Sequence, residues 1–260
     1  MQKVRPKKHL GQHFLNDREI AEKIAALAND CGADRLIEIG PGMGVLTEYL
    51  FPVWKQKLLC VEIDIESVYY LKNTPWAIGL KVEAGDFLQM KNETLFPTNN
   101  NGVIGNYPYN ISTQIAFKVM ENTGSVSFFG GMFQMEVAKR FCAAHGNKEY
   151  GITSVLLQSL YDCHYAFTVP ENAFNPPPKV KSGVMYCTRK ESPLPVGFKS
   201  LSTVVKTAFS QRRKTLSNAL KPLLSSRSNF ILPAEWAGQR AEQLSVQDFL
   251  HLTQLWEQAT

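Results

Sequence analysis

The sequence contains few cysteines, and their arrangement suggests neither a disulfide framework nor a metal site. Its five cysteines, at positions 31, 60, 142, 163 and 187, are scattered over 260 residues, and none forms a CxxC pair. A small, odd and dispersed set is atypical of disulfide scaffolds and of cysteine zinc sites. We therefore predict a reduced, cytoplasmic protein that uses no metal.

Long hydrophobic runs are also missing. No stretch approaches the ~18 consecutive apolar residues of a membrane span, and no apolar segment follows the basic start of the chain, as a secretory signal would require. Hydrophobic residues make up 44% of the sequence and charged residues 20%, which is typical of a globular chain. These absences predict a folded protein without a membrane anchor or an export signal.

One long segment has no acidic residues. Residues 192–234 contain no Asp or Glu, although the whole chain has 28 Lys+Arg and 23 Asp+Glu. Such a segment favours a polyanionic partner. Within it, Arg212, Arg213 and Lys214 are too clustered for a core, and we predict that they bind phosphate. We place them at or just before a helix start, where cations oppose the helix macrodipole.

Strands and helices alternate over the first 142 residues. This alternation predicts a parallel sheet covered by helices on both faces. Pro52 is expected to end the second helix. Later strands are expected to add an antiparallel edge. We predict helices over 16–31, 45–51, 66–72, 112–121, 137–142 and 150–160, and strands over 35–39, 58–63, 80–84, 102–105, 126–133, 164–169 and 184–189.

The last part of the chain has a different pattern. Pro193 and Pro195 mark a linker, and the helical periodicity that follows predicts helices over 201–209, 215–224 and 245–258. The sequence thus predicts two domains, an α/β domain over residues 1–191 and a small, basic, all-helical domain over residues 192–260.

A glycine-rich turn follows the first strand. Glu38-Ile39-Gly40-Pro41-Gly42-Met43-Gly44 exposes backbone at a strand-to-helix junction, where a ligand can approach closely. The spacing is G-x-G-x-G, which departs from the G-x-G-x-x-G that holds a dinucleotide pyrophosphate. It suits S-adenosylmethionine, with Glu62 at the second strand end for the ribose hydroxyls and Asp86 at the third for the adenine amine.

The fourth strand runs into Asn106-Tyr107-Pro108-Tyr109. Open α/β sheets bind ligands at the carboxyl ends of their strands. An Asn amide oxygen and a backbone carbonyl can accept hydrogen bonds from an aromatic amine, and a nearby aromatic ring can stack on the base. This combination suits methylation of an exocyclic amine, which depends mainly on alignment of the reactants.

Together these motifs resemble those of the small-subunit ribosomal RNA adenine dimethyltransferases, the KsgA family. The resemblance covers essentially the whole chain, and the Asn-x-Pro-Tyr turn with the Phe-x-Pro-Pro-Pro-Lys-Val segment is its most specific part. The stretches that carry it are residues 10–15, 38–47, 61–64, 85–86, 106–112, 174–182 and 212–218.

The resemblance implies a Rossmann-like, S-adenosylmethionine-dependent methyltransferase domain with a small helical C-terminal domain. It implies transfer of four methyl groups to the N6 amines of two adjacent adenosines near the 3′ end of 16S rRNA, with S-adenosylhomocysteine as the product. His13, Leu15, Gly40, Gly42, Glu62, Asp86 and Asn106 would bind the cofactor. Asn106, Pro108, Tyr109 and Phe174 would form the catalytic site, with Tyr109 and Phe174 on either side of the target base.

Two positions depart from the family pattern. Many members have Leu where this chain has Tyr107, and Asn where it has His13. Neither change removes a side chain assigned to chemistry.

The sequence also allows two alternative functions. One is the related large-subunit adenine methyltransferase that confers macrolide resistance. The other is a ribosome-assembly or nucleic-acid-binding factor without catalysis, for which Glu62, Asp86 and Asn106 would have no use. The favoured interpretation gives the small ribosomal subunit as partner, with no membrane and no obligate protein partner, and a monomeric enzyme.

Overall fold

A computed structural model, which describes residues 4–7, 10–226 and 229–259, confirms the predicted alternation of strands and helices. Arg227, in the acid-free segment, lies outside the described residues. The strands are β1 (Phe14–Leu15), β2 (Arg35–Ile39), β3 (Leu58–Glu62), β4 (Lys81–Ala84), β5 (Asn101–Asn106), β6 (Val126–Gln134), β7 (Tyr161–Val169), β8 (Phe174–Asn175) and β9 (Ser182–Arg189). The helices are α1 (Arg18–Ala26), α2 (Thr47–Trp54), α3 (Ile65–Lys72), α4 (Asn92–Leu95), α5 (Ser112–Glu121), α6 (Met135–Cys142), α7 (Ile152–Leu160), α8 (Phe198–Ser210), α9 (Leu216–Ala219), α10 (Lys221–Ser226), α11 (Ala234–Ala237) and α12 (Val246–Gln258).

Seven strands form one sheet in the order β4-β3-β2-β5-β6-β9-β7. The first five of these pair in parallel, and β9 pairs antiparallel with β6. Strand β2 lies between β3 and β5, so the chain order reverses there. In open α/β sheets such a reversal opens a crevice at the carboxyl ends of the strands. The sheet therefore predicts a ligand site beyond β2 and β5.

The central parallel strands β3 and β5 are hydrophobic and buried. Every residue of β3 is buried, as are the first five residues of β5. Parallel strands covered on both faces need a continuous apolar sequence rather than an alternating one. The short strands β1 and β8 form a separate antiparallel pair, with Leu15 opposite Phe174.

The chain packs as two units whose boundaries differ in part from the predicted ones. The first contains Met1–Ala138 and His164–Arg189, and the second contains Lys139–Cys163 and Lys190–Thr260. The predicted boundary after residue 191 lies close to Lys190, where the chain enters the second unit for the second time. Residues 139–163, however, pack with the C-terminal helices.

An aromatic cluster lies in the second unit, where α7, α8 and α12 pack together. Phe209 stacks on Phe249 with ring centroids 5.8 Å apart, and Tyr150 meets Phe209 edge-on at 6.2 Å. Ser245 and Asp248 form a capping box at the start of α12, with Ser245 Oγ accepting from Asp248 N at 3.1 Å.

Several helix boundaries differ from the predicted ones. The helix predicted over 16–31 ends at Ala26, and two other differences lie at prolines. Pro52 lies inside α2, and the helix continues past it to Trp54, with Lys55 N donating to Phe51 O. The helix predicted over 215–224 is divided into α9 and α10. Pro222 cannot donate the hydrogen bond that a continuous helix requires. No helix in the described ranges has the length and hydropathy needed to cross a membrane.

Candidate active site

A cleft opens at the carboxyl edge of the sheet, where the strand order reverses. Its walls come from the N-terminal segment, the glycine turn after β2 and the ends of β3, β4 and β5. The predicted residues His13, Leu15, Gly40, Gly42, Glu62, Asp86, Asn106, Pro108 and Tyr109 all line it. The structure thus brings together every predicted cofactor residue, although their binding roles stay predictions.

Glu62 connects the glycine turn to the end of β3. Its carboxylate accepts from Gly42 N at 2.9 Å and from Asp64 N at 2.8 Å. Burial raises the pKa of the Glu62 carboxyl, and the two amide hydrogen bonds oppose that shift. Gly40 and Gly42 both have positive φ, and a Cβ on Gly40 would meet no atom within 4 Å. The backbone beside this carboxylate is therefore open to a ligand.

Asn106 is held by the N-terminal segment. Its Nδ2 donates to the His13 carbonyl at 3.1 Å. A carbonyl oxygen can only accept, so this contact fixes the amide orientation and leaves Oδ1 as an acceptor. The backbone carbonyl of Pro108 accepts from Ile111 N at 3.2 Å and keeps a second lone pair.

Tyr109 lies between the cleft and a second cavity, and it lines both. Its hydroxyl is 2.6 Å from Ser182 Oγ, and its ring stacks on His13 with centroids 5.7 Å apart. His13 Nδ1 lies 2.8 Å from Pro176 O. The second cavity is lined by both rings and by the rigid segment that contains Pro176, Pro177 and Pro178.

A network of polar contacts fastens the N-terminal segment to the end of β3. Lys7 Nζ lies 2.5 Å from Asp64 Oδ1 and 3.2 Å from Glu66 Oε1. Gln12 accepts from Lys7 N at 2.8 Å and donates to Asp64 Oδ2 at 3.4 Å. Burial would raise the pKa of Asp64, but hydrogen bonds from Lys7, Ser67 and Gln12 outweigh it and lower the pKa.

Glu38 is a buried carboxyl on the wall of the cleft. It is 1% exposed, and Cys60 Sγ donates to its Oε2 at 3.5 Å. Burial raises the pKa of Glu38 to about 7, and the nearby Glu62 carboxylate adds to the shift. The folded protein therefore favours the protonated form of this side chain.

Phe174, which we predicted to lie beside the target base, is buried in the structure. It is 4% exposed and packs in the hydrophobic core of the first unit. Strand β8 pairs with β1, and this pairing turns the ring inward. Neither cavity has Phe174 among its lining residues in the described chain. His13 is instead the ring stacked on Tyr109.

Arg212, which we predicted to bind phosphate, already has partners within the protein, and its phosphate-binding role stays a prediction. Its Nε lies 2.9 Å from Glu242 Oε2, and its Nη2 donates to the carbonyls of Lys148 and Tyr150. As predicted, residues 212–214 lie just before a helix start, since α9 begins with Thr215 as its N-cap. They also follow the C-terminus of α8, where cations are favourable.

Arg213 and Lys214 are exposed. Their phosphate-binding role therefore stays a prediction.

Tyr107 fits the fold without taking part in the site chemistry. The side chain is 1% exposed, and its hydroxyl donates to Gly130 O at 2.7 Å. Its ring lies 4.7 Å from that of Phe133. Gly131 has a φ of 135°, and a Cβ there would lie 2.8 Å from the Tyr107 ring. The larger ring is thus accommodated by adjacent glycines in β6.

The cleft residues fit S-adenosylmethionine. The glycine turn has room for a ligand at Gly40, and carboxylates at the ends of β3 and β4 suit ribose hydroxyls and an adenine amine. Within the described ranges, no group of three or more His, Cys, Asp or Glu side chains could hold a metal ion.

The parallel sheet, the strand reversal and the cleft define a Rossmann-like methyltransferase. The chain belongs to the family described as ribosomal RNA adenine dimethylase, whose model matches residues 3–258. It is therefore an S-adenosylmethionine-dependent rRNA methyltransferase.

Proteins called ribosomal RNA small subunit methyltransferase A resemble it over their whole length. The Flavobacterium johnsoniae protein is 51% identical, covering 98% of this chain and 97% of its own, and that of Bacteroides fragilis is 47% identical, covering 100% and 95%. A dimethyladenosine transferase from Plasmodium falciparum has a similar structure, with a TM-score of 0.80 and 26% identity over 92% of this chain and 96% of its own.

Proposed function

We propose that this protein methylates the N6 amines of two adjacent adenosines near the 3′ end of 16S rRNA during assembly of the small ribosomal subunit in the cytoplasm. Its partner is then the small subunit or its RNA. The full-length identity of 46–51% to relatives named for the small subunit supports this target. S-adenosylmethionine is the methyl donor.

One observation carries the chemistry, namely the fixed amide of Asn106. Because its Nδ2 is committed to His13 O, Oδ1 is left to accept a hydrogen bond from an adenine amine. The second lone pair of the Pro108 carbonyl offers another acceptor. Two acceptors on its hydrogens favour a pyramidal nitrogen whose lone pair is available for reaction. The donor supplies an electrophilic sulfonium methyl, so alignment accounts for much of the rate.

The target base is assigned to the second cavity. Tyr109 is on its wall next to the cleft, so a base stacked on that ring would present its amine toward Asn106. The adenosine must leave its stacked context to reach this position, which costs a few kcal/mol. Phosphate contacts from Arg213 and Lys214 are a source of compensating energy, since RNA recognition relies on shape and backbone.

In the cleft, Glu62 is assigned to the donor's ribose, Asp86 to its adenine, and Gly40 and Gly42 to close backbone contact. His13 and Leu15 cover it from the N-terminal segment, and Asn106 meets its methionine end. These roles are supported by the lining of the cleft, which includes all seven residues.

Two other functions remain distinguishable by experiment. A large-subunit methyltransferase would share the cleft, and the 23S rRNA methyltransferase ErmE has a similar fold, with a TM-score of 0.70 and 22% identity over 94% of this chain and all of its own. A non-catalytic binding factor would bind RNA without needing the acceptors in the cleft.

The proposal is tested with Asn106→Ala in a tritiated methyl-transfer assay on unmethylated small subunits. Turnover should fall by ~10²–10³, the scale for losing one preorganised polar contact in a transition state. Asn99→Ala is the matched control, since Asn99 is exposed and outside both cavities. A folded Asn106→Ala protein with normal turnover would rule out the assigned role.

A further inference from the structure

Lys118, on α5, lies behind the loop that carries Asp86. Its ammonium donates to the carbonyls of Phe87 at 2.7 Å, Leu88 at 3.2 Å and Met90 at 2.7 Å. It also lies 5.1 Å from the centroid of the Phe87 ring. An ammonium has three donors and no acceptor, so the loop engages every hydrogen that Lys118 offers. Lys118 itself does not line the cleft.

The loop is wound tightly around Asp86. Gln89 N and Met90 N both donate to the Asp86 carbonyl at 3.0 Å, and Leu88 N donates to Asp86 Oδ1 at 2.9 Å. This winding turns three carbonyls toward one region, where their like partial charges would repel without a cation. The Lys118 ammonium offsets that repulsion. It also fixes the peptide group between Phe87 and Leu88, whose carbonyl accepts from Lys118 and whose N–H donates to the Asp86 carboxylate.

We propose that Lys118 is a positioning residue for the cofactor's adenine, acting through the loop that orients Asp86. The proposal rests on the proposed function in one respect, the assignment of Asp86 to the adenine amine. No sequence motif indicates this role, because the partners of Lys118 are backbone carbonyls.

The environment of the ammonium agrees with a fixed, charged group. Burial lowers the pKa of Lys118, and the carboxylates of Asp86 and Glu121 oppose that shift. Lysine is suited to this place because its compact ammonium can direct three donors to three separate carbonyls. An arginine presents a planar fork instead, so Lys118→Arg should not restore the geometry.

The test measures binding of S-adenosylhomocysteine and of 5′-methylthioadenosine by calorimetry. Lys118→Met keeps the unbranched apolar part of the side chain and removes its donors. Both ligands carry adenine, so both should bind about tenfold more weakly, the scale of one misplaced hydrogen bond. Lys72→Met, an exposed lysine at the end of α3, is the matched control and should bind normally.

A double-mutant cycle separates positioning from general support of the fold. If Lys118 acts through Asp86, then Lys118→Met should have little further effect on affinity in an Asp86→Ala protein. Additive losses would overturn the proposal. Lys118→Ala offers a second readout, since added propylammonium should recover affinity by supplying the missing cation. Failure of this rescue in a folded protein would also count against the proposal.

The outcomes distinguish this proposal from the proposed function. Weak binding by Asp86→Ala together with normal binding by Lys118→Met would overturn the role of Lys118 alone. Normal binding by both variants would instead place the adenine away from Asp86. If Lys118→Met does not fold, Lys118→Gln takes its place in the same measurements.

Discussion

Glu62→Gln tests the cofactor site most sharply, because Glu62 has two roles. Its carboxylate accepts two backbone amides, from Gly42 at 2.9 Å and from Asp64 at 2.8 Å, and it lines the cleft. The glutamine keeps the size and one acceptor oxygen but turns an NH₂ group toward the other amide. The substitution should therefore weaken both the fold and the binding of the ligand.

The two losses have separate magnitudes. One buried amide left without an acceptor lowers the free energy of unfolding by about 1–3 kcal/mol. Replacing a charged acceptor by a neutral one for the ribose costs about 1–1.5 kcal/mol, or roughly 5–10-fold in affinity. Glu62→Ala leaves both backbone amides without an acceptor and lowers the free energy of unfolding by about 2–6 kcal/mol. This is a large share of an ordinary domain's stability. The glutamine variant is therefore the informative one.

The assay is calorimetric titration with S-adenosylhomocysteine, with unfolding by urea measured in parallel. Glu93→Gln, at an exposed position on α4, is the control and should match the wild type in both. RNA binding should not change in either variant. A Glu62→Gln protein that is destabilised yet binds the ligand normally would place the ribose elsewhere.

Three further predictions concern packing, ionisation and RNA binding. Phe174→Ala should lower the free energy of unfolding by ~3–5 kcal/mol, measured with urea; a loss below ~1 kcal/mol would mean that the ring is not packed in the core. Glu38→Gln removes a carboxyl whose pKa burial raises from 4.5 to about 7. Because the folded state binds the proton more tightly, the free energy of unfolding of the wild type should fall by about 3 kcal/mol relative to the variant as the pH rises from 4.5 to 7. The same pH dependence of unfolding in both proteins would refute this. The double variant Arg213→Ala/Lys214→Ala should reduce the log–log salt slope of RNA binding by roughly 1.4–1.8; a wild-type slope in the double variant would refute phosphate contact.

The positions of the cleft residues could be predicted because parallel strands end at one edge of the sheet. Gly40, Glu62, Asp86 and Asn106 each lie at or just after the end of a predicted strand, so their convergence requires only the strand pattern and the parallel pairing. The same reasoning could not give the partners of these side chains. The contact of Asn106 with His13 O depends on how a segment 93 residues away folds over the cleft.

The differences from the structure arose where one local signal had two physical outcomes. The prolines after Phe174 indicate a stiff chain, but they do not say which way the preceding ring points, and pairing with β1 decided that. Arg212 belongs to a basic cluster, yet its carboxylate partner Glu242 is 30 residues away and two of its acceptors are backbone carbonyls. The contacts of Lys118 could not be predicted for the same reason. Its acceptors are backbone carbonyls, which every residue has and which leave no mark in the sequence.

The most direct test of the proposed function is to map the methylated nucleosides by mass spectrometry. Unmethylated small subunits and large-subunit RNA would each be incubated with the protein and S-adenosylmethionine. The account predicts four methyl groups on the N6 atoms of two adjacent adenosines near the 3′ end of 16S rRNA, and none on large-subunit RNA. Methylation of a large-subunit adenosine, or no methylation of small subunits by a protein that binds the cofactor, would contradict it.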